Sequence, residues 1–506
     1  MSRARVALHC VAGAVLLTLS YPPFRFPFLP FVAVIPAVLL IRAAERAGDP
    51  RAAFRWGFWY GFAVNGVALY WLVVALWHFT RLSALGYLAT IAIFGLWSGG
   101  LFWLAVRTRL RFPRLPLALL FPILWTAMDW VIGHQGDIRF PWLGLGTALA
   151  DAPPLIQWAD IAGARGVTFW VAWCNVALLE AALADPATWA RRLRRAAPVA
   201  ASVVVALGYG IWRMRTLPTR EVGVVGMVQP NIAFDEKWGW GEGDSEVAKQ
   251  LSLSRRVRAL SRPDLVLWPE AAVPGYLAEQ PAWDSSLARF SRESHTPLLV
   301  GALHRTVSGT DREYYNAAFF YDSTGAWRPH PVYEKHYLVP VVERVPFVNP
   351  RWFAGLEFFG GFGRGTGLPV YATGIGRFGV IICYESIFED LPRAYRRAGA
   401  QFLVNITNDA WYGRTTAPYQ HASHLVLRAI ETRMGIARAA NSGISELVDP
   451  TGRVHDATGV MTEAVDAGRL VTSDVIPLYV RLGDWVGVLS ALGALAMLGG
   501  LAVPRR

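Results

Sequence analysis

Apolar residues in this chain are gathered into long runs at its two ends, and that distribution restricts the possible folds more than any single motif. A helix that crosses a bilayer needs about 20 largely apolar residues. Spans are predicted near 6–22, 27–43, 55–77, 84–106, 116–133, 165–186 and 196–213, with an eighth near 483–502. Residues 220–475, between the seventh and the eighth, mix charges freely. The fold class expected is a polytopic α-helical membrane bundle of about eight spans carrying an inserted α/β domain. Residues 1–217 form the seven-span bundle, 220–475 the water-soluble domain, and 480–506 a last transmembrane helix with its tail. The opening run is similar to a secretory signal peptide. The next span begins almost at once without a clean small-residue cleavage pattern, so it reads as an uncleaved helix.

Charge tests the count independently. With the N-terminus inside, the inner segments carry Arg3 and Arg5, then Arg42, Arg46, Arg51 and Arg55, then Arg107, Arg109, Arg111 and Arg114. Arg191, Arg192, Arg194 and Arg195 follow, and finally Arg505 and Arg506. The short outer loops hold only Arg25, Arg81, Arg139 and Arg165. That bias fits eight spans and puts the inserted domain outside the cytoplasm. It also explains the net charge of +12 without nucleic acid, which is not an expected partner. The outer stretch GHQGDIRFPWLGLG reads as an interfacial aromatic belt.

Within 220–475, β-like runs (EVGVVGMVQ, DLVLWPE, TPLLVGAL, NAAFFYD, FGVIICYE, AQFLVNIT, SGISELVD, GRLVTSDV) alternate with helical patterns at Glu246–Ser261, Ser286–Ser294, Glu389–Ala398 and His421–Ala439. Many strands with interspersed helices predict an α/β sandwich. Neither GxGxxG nor a P-loop is present, so no nucleotide cofactor is expected. His421 and His424 form an HxxH without a matching third ligand, and no metal is expected. FFGGFGRGTG reads as a mobile loop.

Three β-like runs end in reactive groups: Glu270 after LVLWP, Lys335 after HPVYE and Cys383 after FGVII. Cys10 and Cys174 lie in apolar spans, so Cys383 is the single thiol of the soluble region, and the chain has only two other lysines, Lys237 and Lys249. A lone cysteine is by default a small buried hydrophobe. Beside a carboxylate and an amine it becomes a nucleophile. A thiol is only partly ionised at neutral pH and needs a base, for which Glu270 serves, while Lys335 supplies positive charge to thiolate and oxyanion. Asn408 and Asp409 close a strand in NITNDAWYG, where turn hydrogen bonds are the default reading. Tyr315 and Asn316 are placed with them as supporting residues.

The strings WPE (Trp268–Glu270), YEKHYLVP (Tyr333–Pro340) and CYES (Cys383–Ser386) resemble the three signatures of the nitrilase superfamily. Joined to the spans, and to ICYESIFEDLPRAYRRAGAQFLVNITNDAWYG, YQHASHLVLRAIETR and NSGISELVDPTGR, they are similar to the apolipoprotein N-acyltransferase family along the whole chain. The resemblance implies an α-β-β-α sandwich with Glu270 as general base, Lys335 as charge stabiliser and Cys383 as nucleophile. It implies a supporting role for Glu343, pocket-shaping roles for Tyr384 and Glu385, and a substrate-facing loop at Trp238. It further implies a phospholipid acyl donor, a diacylglyceryl apolipoprotein acceptor, no cofactor, a monomer in the bacterial inner membrane with both termini cytoplasmic, and a periplasmic catalytic domain. A membrane-tethered amidase and an inactive membrane platform are the alternative readings.

Overall fold

The computed structural model describes residues 1–77, 83–183, 189–233, 243–308, 311–347 and 361–504. The chain divides into two compact units, Met1–Thr216 with Arg481–Arg506, and Leu217–Val480.

The first unit is helical. Among the described residues four helices are long and apolar enough to cross a membrane: Ala84–Arg111, Ala159–Ala182, Trp189–Thr216 and Trp485–Ala502. A fifth arises if Pro50–Ala68 and Trp71–Trp77, bent by 60°, count as one span. The expectation of eight is therefore not met by length and composition. Arg3–Leu19 has 17 residues and Leu117–Ile132 has 16. The run near 27–43 gives a 3-10 turn at Leu29–Phe31 and the α-helix Ile35–Arg46, because Pro27, Pro30 and Pro36 confine α-helix to its second half. Asp129 and Asp484 both lie against the buried guanidinium of Arg165, at 3.8 and 2.7 Å.

The second unit is a two-sheet sandwich. One sheet is built from β1 (Arg220–Gln229), β2 (Leu265–Leu267), β3 (Val273–Tyr276), β4 (Leu298–Ser308), β5 (Asp311–Tyr321), β6 (Tyr333–Glu334) and a late strand, Ala464–Thr472. The late strand lies antiparallel to β1, β1 pairs parallel with β2 and β2 with β4, and β5 and β6 continue antiparallel. The other sheet holds β7 (Tyr371–Thr373), β8 (Gly376–Ile382), β9 (Phe402–Thr407), β10 (Gly435–Ala440), β11 (Glu446–Val448) and β12 (Val454–His455), paired in that order. Ala464–Thr472 is β13. Helices Gly243–Ser261 and Pro281–Ser294 pack on the first sheet, Asp390–Arg397 and Ala417–Thr432 on the second. β1 and β13 meet β10 and β11 across the sheets, which completes the α-β-β-α layering.

One expected helix ends early and gives way to a strand. The pattern His421–Ala439 is helical only as far as Thr432. Arg433 turns left-handed at φ 53°, and GIARAA continues as β10, parallel to β9 and buried throughout. Ala and Arg are good helix formers, but pairing in a central strand overrides their propensity.

Candidate active site

Glu270 lies three residues beyond β2, Lys335 directly follows β6, and Cys383 directly follows β8. Short, buried strands thus deliver all three groups on rigid backbone. Trp268 anchors the first of them, with its indole N–H donating to Ser254 Oγ at 2.7 Å inside the sheet–helix core. Gly301 on β4 makes the close approach possible. A Cβ there would lie 2.3 Å from the Pro269 carbonyl oxygen and 2.7 Å from Glu270 Cα.

The side chains converge into a buried ion-pair cluster. Lys335 Nζ donates to Glu270 Oε1 at 3.0 Å and to Glu343 Oε1 at 2.8 Å, and is 1% exposed. Asn316 Nδ2 bridges the same two oxygens at 2.6 and 2.9 Å. Glu270 Oε2 accepts the Asn408 backbone N–H at 2.8 Å, and Glu343 Oε2 accepts that of Val339 at 2.8 Å. Burial disfavours the ammonium, but Glu270 and Glu343 outweigh it and hold the Lys335 pKa well above the usual lysine range. An amine held permanently charged is a fixed electrostatic donor, unsuited to act as a base.

Cys383 opens the tight turn Cys383–Ile387 with φ 52°, a left-handed conformation rare for a residue with a Cβ. Burial and then the Glu270 charge push its thiol well above the ordinary range, against the pull of Lys335. Both effects favour the thiol over the thiolate, so an attack by this sulfur would call for a base. Glu385 faces inward. Its carboxylate accepts from Tyr333 Oη (2.7 Å) and the backbone N–H groups of Ile382 (2.6 Å), His336 (2.6 Å) and Tyr337 (3.1 Å). It thereby ties the segment after Lys335 to the cysteine turn. Tyr384 is buried, edge-on to Phe388 at 5.2 Å.

Tyr315 is separated from its neighbour Asn316 by strand alternation. On β5 adjacent side chains take opposite faces, and the Tyr315 hydroxyl donates to Glu313 Oε2 at 2.5 Å. Burial first, with Glu313 behind it, pushes that phenol up to about 12. Trp238 lies outside the described residues, as do the first residues of the Gly-rich stretch.

The HxxH does not act as a pair. His421 instead joins Asp409, with Nδ1 2.9 Å from Oδ1, while Arg438 donates to Oδ2 at 2.8 Å. One ligand atom each of Cys383, Asp409 and His421 lie within 4.8 Å of one another, but the nitrogens and oxygens are already engaged with protein partners. Burial would raise the Asp409 pKa, yet His421 and Arg438 bring it down to about 2. Sequence spacing could not disclose Arg438, which arrives from β10, the strand read as helix.

Glu446 lies in the same buried region, and burial lifts its carboxyl from about 4.5 to about 7. The unfolded chain ionises first, so this group's contribution is intact below pH 4.5 and is lost as pH rises to 7. Glu446→Gln is expected to match the parent protein below pH 4.5 and to exceed it by about 3 kcal/mol above pH 7. Thermal unfolding of the two proteins across that range checks it; a pH-independent offset would contradict it.

An α-β-β-α sandwich with a carboxylate, an ammonium and a thiol at strand ends is the architecture of a nitrilase-type cysteine enzyme. Comparison with known proteins agrees. Residues 224–474 match the carbon-nitrogen hydrolase family model, and residues 13–177 match that of the apolipoprotein N-acyltransferase N-terminal domain. Curated apolipoprotein N-acyltransferases align along nearly their whole length. That of Geobacter metallireducens is 34% identical over 99% of this chain and 95% of its own. That of Gloeobacter violaceus is 32% identical over 98% and 93%, and that of Chlorobaculum tepidum 31% identical over 92% and 88%. The chain belongs to the apolipoprotein N-acyltransferase family.

Proposed function

We propose that the protein transfers a fatty acyl chain from a membrane phospholipid to the α-amino group of the S-diacylglyceryl-cysteine that begins an apolipoprotein. The observation that carries this reading is the buried Glu270–Lys335–Glu343 cluster beside Cys383, in a chain related to such enzymes over its full length.

Glu270 takes the thiol proton as Cys383 Sγ attacks the ester carbonyl, and Lys335 stabilises the oxyanion. The tetrahedral intermediate expels the glyceryl oxygen, which takes the proton back from Glu270 and leaves as lysophospholipid. The thioester then meets the acceptor amine. Glu270 accepts the ammonium proton of the second intermediate and returns it to the departing sulfur. Two half-reactions through one covalent intermediate make a ping-pong sequence. Asn316, Asn408 and Glu343 hold Glu270 and Lys335 in place, and Glu385 and Tyr384 shape the turn.

The arginine distribution supports eight passages, with the short helices Arg3–Leu19 and Leu117–Ile132 among them. Ile35–Arg46 is the least able to span, at ~18 Å. On this topology both termini are cytoplasmic and residues 220–475 face the periplasm of a bacterial inner membrane, so donor and acceptor both diffuse in its plane.

The test is a reconstitution with acyl-labelled phospholipid and a synthetic diacylated lipopeptide. The expected products are N-acylated peptide and lysophospholipid in equal amounts. Free fatty acid in place of acylated peptide would overturn the reading in favour of a hydrolase.

A further inference from the structure

Three consecutive residues close β9, and each meets a different part of the site. Asn408 holds Glu270 through its backbone N–H. Asp409 Oδ1 accepts from Thr407 Oγ1 at 3.0 Å as well as facing His421 Nδ1 at 2.9 Å, while Arg438 holds Oδ2. Both partners of Oδ1 also reach Cys383. The Thr407 hydroxyl acts on the Cys383 thiol, drawing its pKa down, and His421 Nε2 lies 3.0 Å from the cysteine carbonyl oxygen. Thr407, Asp409, His421, Arg438 and Cys383 are all 0% exposed, so water does not replace any of these bonds.

Proton bookkeeping constrains the arrangement. Carbonyl and carboxylate oxygens only accept, so the His421 ring donates at Nε2 to the Cys383 carbonyl and at Nδ1 to Asp409 Oδ1. A threonine hydroxyl has one proton, which can go to Asp409 or to sulfur but not to both. While Cys383 is a thiol, its S–H can donate to Thr407 Oγ1 and the hydroxyl proton to Asp409. When Glu270 has removed the thiol proton, the Thr407 hydroxyl is free to turn toward the sulfur. No proton beyond that taken by Glu270 leaves the site. Asp409, held ionised by His421 and Arg438, remains an acceptor throughout.

We propose that Asp409 is the hub of a clamp on Cys383, fixing its carbonyl through His421 and presenting the Thr407 hydroxyl as a donor to the thiolate. The proposal rests on the reading of Cys383 as the nucleophile. In this clamp Thr407 would be the donor to the reacting atom; His421, Asp409 and Arg438 are positioning residues. The clamp gives the left-handed turn at Cys383 a local reason, since the carbonyl it must aim at His421 follows the unusual φ. The other groups facing the sulfur are Glu270 after β2, Lys335 after β6 and Tyr412 after β9.

The experiment measures alkylation of Cys383 by iodoacetamide against pH, in the full chain with Cys10→Ala and Cys174→Ala so that one thiol reports. Thr407→Val keeps the shape and removes the donor. It is expected to move the alkylation midpoint up by about one pH unit, with Thr407→Ser within a few tenths of the parent. His421→Ala is expected to slow alkylation about tenfold, and His421→Gln, whose amide N–H can reach the same carbonyl, to recover most of that rate. Thermal unfolding of the Ser and Gln variants verifies their folding. An unmoved midpoint in Thr407→Val, an equal shift in Thr407→Ser, or His421→Gln as slow as His421→Ala would overturn the clamp. Alkylation needs no lipid, so a parent protein that alkylates on this profile but transfers no acyl group would count against the acyltransferase reading alone.

Discussion

Lys335→Met is expected to lower the rate of acyl transfer at least about 10³-fold and to destabilise the catalytic domain by about 3–5 kcal/mol. Both losses have one cause. Lys335 Nζ is the only ammonium between Glu270 and Glu343 among the described contacts, at 3.0 and 2.8 Å, and the two carboxylate side chains are 8% and 9% exposed. Removing the amine leaves two buried like charges, both still accepting from Asn316 Nδ2. The two effects can be separated. Adding Glu343→Gln to Lys335→Met removes one unpaired charge, and should return most of the stability while returning none of the activity. Thermal unfolding and single-turnover acylation of the single and double variants check this. Recovery of activity together with stability would mean that Lys335 only holds the fold.

Glu270→Gln is expected to give effects of opposite sign on two reactions of the same sulfur. Acyl transfer should fall about 10³–10⁴-fold, because the group that takes and returns the proton is gone. Alkylation of Cys383 by iodoacetamide should become faster at a fixed pH. The Glu270 charge raises the thiol pKa, so neutralising it lowers that pKa and increases the thiolate fraction. The variant amide can still accept from Lys335 and Asn316 through one oxygen, but its nitrogen then faces the Asn408 N–H, so a modest loss of stability accompanies it. A parallel fall in alkylation and transfer would contradict the assignment of Glu270 as base.

The legible part of this protein was the part written in contiguous sequence. Glu270 and Cys383 each follow an apolar run, and the strands that deliver them are visible as such; Lys335 follows HPVYE, which pairs as a strand only over Tyr333–Glu334. Glu343 and Glu385 emerge only from resemblance, because nothing in the local pattern separates them from surface carboxylates. The structure gives both physical content: Glu343 completes the ion pair of Lys335, and Glu385 satisfies three backbone N–H groups. What depends on long-range pairing was hidden. His421 stood out for its spacing to His424, but its partners are Asp409, twelve residues away, and the Cys383 carbonyl, thirty-eight away. Arg438 was misplaced because GIARAA has helix-forming composition and becomes a strand only through its parallel pairing with β9. In the helical unit, prolines shorten the apolar run before Ile35 to the α-helix Ile35–Arg46, which apolar length alone did not disclose. Hydropathy registers composition, whereas a span also needs unbroken backbone hydrogen bonding.

The most direct test of the central claim is mass spectrometry of the Cys383 peptide after incubation of the full-length protein with phospholipid. The account requires a fatty-acyl thioester on Cys383 that disappears when diacylated lipopeptide is added, with N-acylated peptide appearing in its place. An unmodified Cys383 in folded protein that still acylates the peptide would contradict it, because the acyl group would then travel by a route that does not pass through this sulfur.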